Sequence, residues 1–134
     1  MTSDLAQWLC GQLDTDERIA RGAGGTWMEF PGTDWVNTAP TDEWQPSGSD
    51  HHVAVVVLDS DRAHIVEWDP ARALREIDTK RKILKLHERL DIGEFCSICD
   101  APSGIPGRPD GCDTLRLLAL PYTDRPGYRK EWRP

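Results

Sequence analysis

Hydrophobic positions divide the chain into stretches of different period. Between residues 3 and 22, Leu5, Trp8, Leu9, Leu13 and Ile19 recur near helical spacing, while Asp14, Asp16, Glu17, Arg18 and Arg21 fill much of the other face. That pattern predicts an amphipathic helix. Ser3 or Asp4 supplies its cap, and Gly22-Ala23-Gly24-Gly25 stops it. Thr26 to Phe30 reads as a strand that Pro31-Gly32 ends. Residues 31–50, rich in Pro, Gly, Ser, Thr and Asp, read as a long acidic loop with at most a short strand at Trp35-Val36. Val53, Val55, Val56 and Val57 make His51 to Leu58 the clearest strand, terminated by Asp59-Ser60-Asp61. Together these segments predict a small antiparallel sheet of two or three strands, with helix covering one face because a bare hairpin is only marginally stable.

Helical spacing returns after residue 60. Ser60 or Asp61 caps a short helical turn from Arg62 to Trp68. Asp69-Pro70 then opens a longer helix, with a side-chain acceptor at the N-cap and proline where no backbone N–H is needed. Leu74, Ile77 and Leu84, widened by Ile83, Leu86 and Leu90, carry that helix to about Arg89 or Leu90. Residues 91–113 read as a loop held by something other than a core. Asp113 or Thr114 starts a further helix, Leu115 to Leu120, which Pro121 ends, and one more helical turn is expected around Tyr128 to Trp132. The expected fold is α+β: an N-terminal helix, a small antiparallel sheet, a kinked helix pair joined at Asp69-Pro70, and a zinc-clamped C-terminal helix. All of it is expected to form one domain over residues 1–134.

Zinc enters through the pattern His87-x8-Cys96-x2-Cys99-x12-Cys112. Structural zinc sites are usually filled by four thiolate or imidazole donors arranged as a tetrahedron. Cys96-Ser97-Ile98-Cys99 has the spacing of a knuckle, whose tight turn aims both sulfurs at one ion. His87 lies near the end of one predicted helix and Cys112 just before the next, so one ion would tie down segment 87–112. Three thiolates and a neutral imidazole leave a net negative charge that Arg89, Arg108 or Arg116 can offset. A thioredoxin-like redox pair belongs between a strand and a helix, whereas Cys96 follows a helix and a loop. The zinc-deaminase signature also fails: Glu88 directly follows His87, Phe95 stands in place of proline, and the spacing from His87 to Cys96 is too short. A catalytic zinc keeps an open position, which Cys112 would close. Cys10, beside the apolar stripe of the first helix, reads as a small, partly buried residue.

Composition narrows the remaining choices. With 38% apolar and 29% charged residues, the core is modest, so a metal staple carries more weight. No stretch approaches the ~20 apolar residues of a membrane span, and Met1-Thr2-Ser3-Asp4 lacks signal-peptide character, so a cytoplasmic setting is expected. Structural disulfides are rare there. Net charge is −7 and uneven: residues 1–61 carry 11 acids against Arg18 and Arg21, while residues 62–134 carry 14 bases against 12 acids. Overall acidity argues against general nucleic-acid coating. Lys80-Arg81-Lys82 with Lys85 and Arg89, interrupted by Asp78, still offers a basic face on the 70–90 helix that can grip phosphates. His51 and His52, as strand neighbours, point to opposite faces and do not chelate together. His64, near Glu67, reads as a packing or surface hydrogen-bonding residue. No Ser-His-Asp order, phosphate loop or paired-carboxylate motif is present. Six Trp residues (Trp8, Trp27, Trp35, Trp44, Trp68 and Trp132) favour a binding role, since Trp is enriched at binding hot spots. The leading expectation is therefore a non-enzymatic accessory protein acting through protein–protein binding or as a homodimer. A nucleic-acid-associated regulator is the alternative, and an enzyme of unrecognised type the third.

Two runs carry a family resemblance. One is Asp69-Pro70-Ala71-Arg72-Ala73-Leu74-Arg75-Glu76-Ile77 with Lys80-Arg81-Lys82-Ile83. The other is Cys112-Asp113-Thr114-Leu115-Arg116-Leu117-Leu118-Ala119-Leu120-Pro121-Tyr122, closing at Tyr128-Arg129-Lys130-Glu131-Trp132. The chain resembles the small actinobacterial and actinophage proteins grouped as domain of unknown function family 6221. In that family a His, a Cys-x2-Cys and a later Cys recur, and the resemblance places them on His87, Cys96, Cys99 and Cys112. Asp113 stands where the family usually has Pro, and Arg125 and Gly127 depart from its closing turn. The resemblance implies an actinobacterial or phage setting and no particular reaction.

Overall fold

A computed structural model describes residues 3–39, 52–88, 95–96, 98–99, 101–102 and 111–134. Helix α1 spans Asp4–Ala23. Ser3 is its cap: the Ser3 hydroxyl accepts from the Ala6 amide at 3.1 Å, and the Ser3 carbonyl accepts from Gln7 at 3.1 Å. Leu5, Leu9 and Leu13 are buried as a stripe of successive turns, and two turns on from Leu13 the next buried residue is Ala20. Ile19, assigned to the stripe from its spacing, instead lies one position off it and is 62% exposed. Gly24, at φ 103°, takes the chain out of the helix as expected.

Strands β1 (Trp27–Glu29), β2 (Trp35–Thr38) and β3 (His52–Val55) form one antiparallel sheet in the order β1-β2-β3. The register pairs Trp27 with Thr38, Glu29 with Val36, and Trp35 with Val55, and a bulge follows Val36. β2 runs two residues past the expected Trp35-Val36. β3 is shorter than the valine run implied: only the Val56 amide continues it, donating to the Asp34 carbonyl at 2.7 Å. The reason is Arg62. Its buried guanidinium donates to the carbonyls of Val56 and Val57 and to the carboxylates of Asp34 and Asp59. With the Val56 and Val57 carbonyls engaged by the guanidinium, the chain leaves the ladder, and Val57 and Leu58 are exposed. Helix α2 (Asp59–Glu67) accordingly starts three residues earlier than expected, without a side-chain cap. Asp59 and Asp61 fall in its first turn, where the helix dipole favours acids.

Trp68 and Asp69 join α2 to helix α3 (Pro70–His87). The buried Asp69 carboxylate works twice, accepting from the Arg72 amide at 2.8 Å as the helix cap and from the Trp27 amide at 3.2 Å on β1. Pro70, Ile77, Leu84 and His87 are the buried positions of α3, while Leu86 is 62% exposed. The helix ends at His87, and the expected extension to Arg89 or Leu90 lies outside the described residues. Helix α4 spans Asp113–Ala119, followed by 3₁₀ turns at Leu120–Tyr122 and Lys130–Trp132.

The chain forms two compact units. One comprises residues 16–76 and contains the sheet and α2. The other comprises residues 1–15 and 77–134. Its core gathers Leu5, Leu9, Leu13, Ile77, Leu84, Leu115, Ala119, Tyr122 and Trp132. Within it the Trp8 ring lies 5.3 Å from that of Trp132 and 5.7 Å from that of Tyr128, and its indole N–H donates to the Pro126 carbonyl at 3.1 Å. Gly127 follows at φ 84°, and a Cβ there would sit 2.9 Å from the same indole nitrogen, so only glycine closes this turn.

Asp69→Ala is expected to lower unfolding free energy by about 2 kcal/mol, since a helix cap and a buried amide partner are lost together. Asp69→Asn keeps an acceptor at the cap and loses less. Denaturant midpoints of the two variants check this, and equal losses would contradict the capping role.

Candidate metal centre

Three pieces of local structure bring the four sequence-selected donors together. α3 delivers His87 as its last residue. A short ladder of β4 (Phe95–Cys96) and β5 (Ala101–Pro102) pairs Cys96 with Ala101 and folds the intervening turn, which carries Cys99, back over itself. Cys112 is the N-cap residue of α4, with extended backbone at φ −81° and ψ 168°. Gly111 makes the approach to α4 possible. It sits at φ 72°, and a Cβ there would come within 2.7 Å of a Leu5 methyl.

The His87 Nδ1 lies 3.4 Å from the Cys96 sulfur, 3.2 Å from that of Cys99 and 3.6 Å from that of Cys112. All four donor atoms fall within 4.8 Å of one another. Hydrogen bonding does not account for this, because one ring nitrogen carries at most one proton and three sulfurs crowd it. A tetrahedral ion does. With sulfur at about 2.3 Å and nitrogen at about 2.0 Å from zinc, sulfur and nitrogen end up about 3.5 Å apart. His87, Cys96, Cys99 and Cys112 can therefore hold a metal ion, and no donor place is left vacant in a four-coordinate site.

The electrostatics favour a cation. Burial pushes the Cys112 thiol up to about 12, against the pull of the Leu115 amide and with help from the neighbouring sulfurs of Cys99 and Cys96. Burial also disfavours the Cys99 thiolate, but hydrogen bonds from the Thr114 hydroxyl and from Cys112 and Cys96 outweigh it, and the Cys99 thiol sits below its ordinary value. Without a cation, Cys112 keeps its proton at neutral pH. Of the three arginines considered as counter-charges, Arg89 and Arg108 lie outside the described residues. Arg116 is buried and serves the scaffold: it donates to the carbonyls of Gly111, Glu131 and Arg133. The same guanidinium thus fixes the peptide before Cys112 and the C-terminal turn, a role that nothing in the hydrophobic pattern signals.

The other candidates stay apart from this cluster. Cys10 is exposed rather than partly buried, because it falls one position beyond Leu9 and turns off the apolar stripe. His52 opens β3 on the surface, with its ring edge-on to Trp35 at 4.5 Å, and His51 lies outside the described residues. His64 is exposed and stacks near Trp68. In the basic run, Lys82 pairs with Asp78 at 2.7 Å, Arg81 with Asp14, and Lys80 faces the Tyr122 ring at 5.5 Å.

Metal loading is expected to release protons, because bound sulfur must be thiolate while Cys112 is otherwise protonated. Affinity should fall as pH is lowered. Titration calorimetry in buffers of different ionisation enthalpy measures the released protons, and a buffer-independent heat would contradict the thiolate donor set. Gly111→Ala should cost about 1–3 kcal/mol through positive φ and overpacking against Leu5, and should weaken metal binding with it.

No curated protein and no solved structure matches the chain. No helix among the described residues is long and apolar enough to cross a membrane. A family model described as a family of unknown function, DUF6221, matches residues 2–134, and the chain belongs to that family.

Proposed function

We propose that the protein is a non-enzymatic, zinc-stapled accessory protein that acts by binding another protein. The observation that carries the staple is the gathering of three sulfurs and one imidazole nitrogen within 4.8 Å of one another, enough donors to fill a four-coordinate site. Soft thiolates with one imidazole at tetrahedral spacing suit zinc, and a closed donor set is the mark of structural rather than catalytic zinc. A reducing, cytoplasmic setting in an actinobacterium or one of its phages is part of this reading, since it keeps the thiols available and agrees with the family resemblance.

Support for binding comes from the sheet. Met28, Phe30, Trp35 and Val55 are exposed, and the Trp35 ring lies 6.3 Å from that of Phe30. Trp8 and Trp132 are absorbed by the aromatic core, and Arg72 covers Trp68 at 3.9 Å, so Trp35 is the anchor best suited to a partner. Asp34 and Glu29 flank these residues in sequence and are themselves well exposed or partly so. A partner presenting apolar side chains complements Met28, Phe30, Trp35 and Val55. The basic face of α3 supports a nucleic-acid role less well, because Arg81 and Lys82 already face carboxylates of the chain itself.

Native mass spectrometry of protein purified without added metal tests the staple. One zinc per chain, lost in Cys112→Ser, is the expected result; a folded, metal-free wild type would overturn it. Partner capture by wild type and Trp35→Glu, with and without nuclease, tests the binding. Partners should survive nuclease and be lost in the variant, and partners that vanish with nuclease would favour the basic face instead.

A further inference from the structure

The four donors are not equally protected. His87, Cys96 and Cys112 are buried, whereas Cys99 is partly exposed, and Ile98 beside it in the turn is 57% exposed. The Cys99 sulfur also has a side-chain neighbour outside the donor set, the Thr114 hydroxyl at 3.4 Å. Its two sister sulfurs each lie within 4.8 Å. An accessible thiolate with two buried thiolates behind it has the arrangement of a reacting sulfur and its resolving partners.

We propose that Cys99 is a modification site, the ligand through which a peroxide reaches the cluster, converts it to a disulfide and expels the metal. The inference rests on the reading that the cluster holds zinc. In the first step the Cys99 sulfur attacks one peroxide oxygen: an S–O bond forms, the O–O bond breaks, and the other oxygen leaves as hydroxide and takes up a proton. Sulfur is oxidised by two electrons and peroxide is reduced. In the second step the sulfur of Cys96 or Cys112 attacks the sulfenic sulfur, an S–S bond forms, and the sulfenic oxygen leaves as hydroxide, protonated to water. Two thiolates, one hydrogen peroxide and two protons become one disulfide and two waters. Only His87 and one thiolate remain of the donor set, too few to hold zinc in its usual four-coordinate structural site. Dithiol reductant and zinc reverse the change. Thr114 tunes the rate: its hydroxyl donates to the thiolate and draws charge from the sulfur, lowering its nucleophilicity.

The test uses full-length protein carrying Cys10→Ser, which removes the exposed cysteine of α1 without touching the cluster. Zinc content is first fixed by native mass spectrometry. Hydrogen peroxide is then added below one equivalent, metal release is followed with a chromophoric chelator, and free thiols are trapped and mapped. Zinc should leave at the rate at which one disulfide containing Cys99 appears, and brief N-ethylmaleimide treatment should label Cys99 before Cys96 and Cys112. Thr114→Val should bind one zinc and release it severalfold faster. Absence of zinc before peroxide is added sinks the zinc reading and this inference together. Zinc present, but released with Cys96 or Cys112 reacting first or with a Thr114→Val rate equal to wild type, overturns this inference alone.

Discussion

One imidazole nitrogen carries at most one proton, yet three cysteine sulfurs crowd Nδ1 of His87 at 3.2–3.6 Å. A cation at their centre would turn this crowding into four favourable bonds, and without one the three thiols compete for a single acceptor. Much local structure follows from that requirement. His87 is the last residue of α3, Cys96 lies on β4, and the chain enters α4 through a glycine of positive φ just before Cys112. Leu5 closes over that glycine from α1, so the hydrophobic core and the donor set share a wall.

Donor identity and spacing were readable in the sequence because a four-ligand site leaves a chemical signature that needs no tertiary information. The caps were readable for a similar reason: Asp69-Pro70 and the glycines after α1 act over three or four residues, and the sequence holds all of their atoms. Periodicity failed where a polar contact from a side chain to nearby backbone intervened. Val56, Val57 and Leu58 have the composition of a strand, but Arg62 holds the carbonyls of Val56 and Val57 and converts the stretch into the entry to α2. Ile19 and Cys10 were misassigned for a simpler reason, since each lies one position off the apolar stripe and side-chain character alone does not resolve a step of 100° around a helix.

A closed donor set separates stability from activity. A tetrahedron filled by these four donors would have no place for substrate or water, which is the arrangement of structural rather than catalytic sites. The surface features are divided in kind. The basic residues of α3 are largely occupied by Asp14, Asp78 and the Tyr122 ring. The exposed rings of Phe30, just after β1, and Trp35 on β2 lie beside one another, and Trp35 also meets the His52 ring edge-on. Pre-positioned aromatic side chains lose little entropy on binding, which is what a recognition surface gains from rigid anchors.

Each unit also relies on one buried arginine where its chain is irregular. Arg62 gathers the carbonyls of Val56 and Val57, and Arg116 those of Gly111, Glu131 and Arg133. Such segments have no ladder or helix to satisfy their carbonyls, and a buried carbonyl without a donor is costly. A guanidinium presents five N–H groups in a planar fork and can serve several carbonyls at once, which no apolar residue can do. An ion held by the His/Cys cluster would solve the same problem as the arginines by related means. In a chain with a modest hydrophobic core, point charges organise the backbone that periodic structure does not reach. For Arg116 the two devices meet, because the carbonyl it holds at Gly111 belongs to the peptide that leads into Cys112 of the donor cluster.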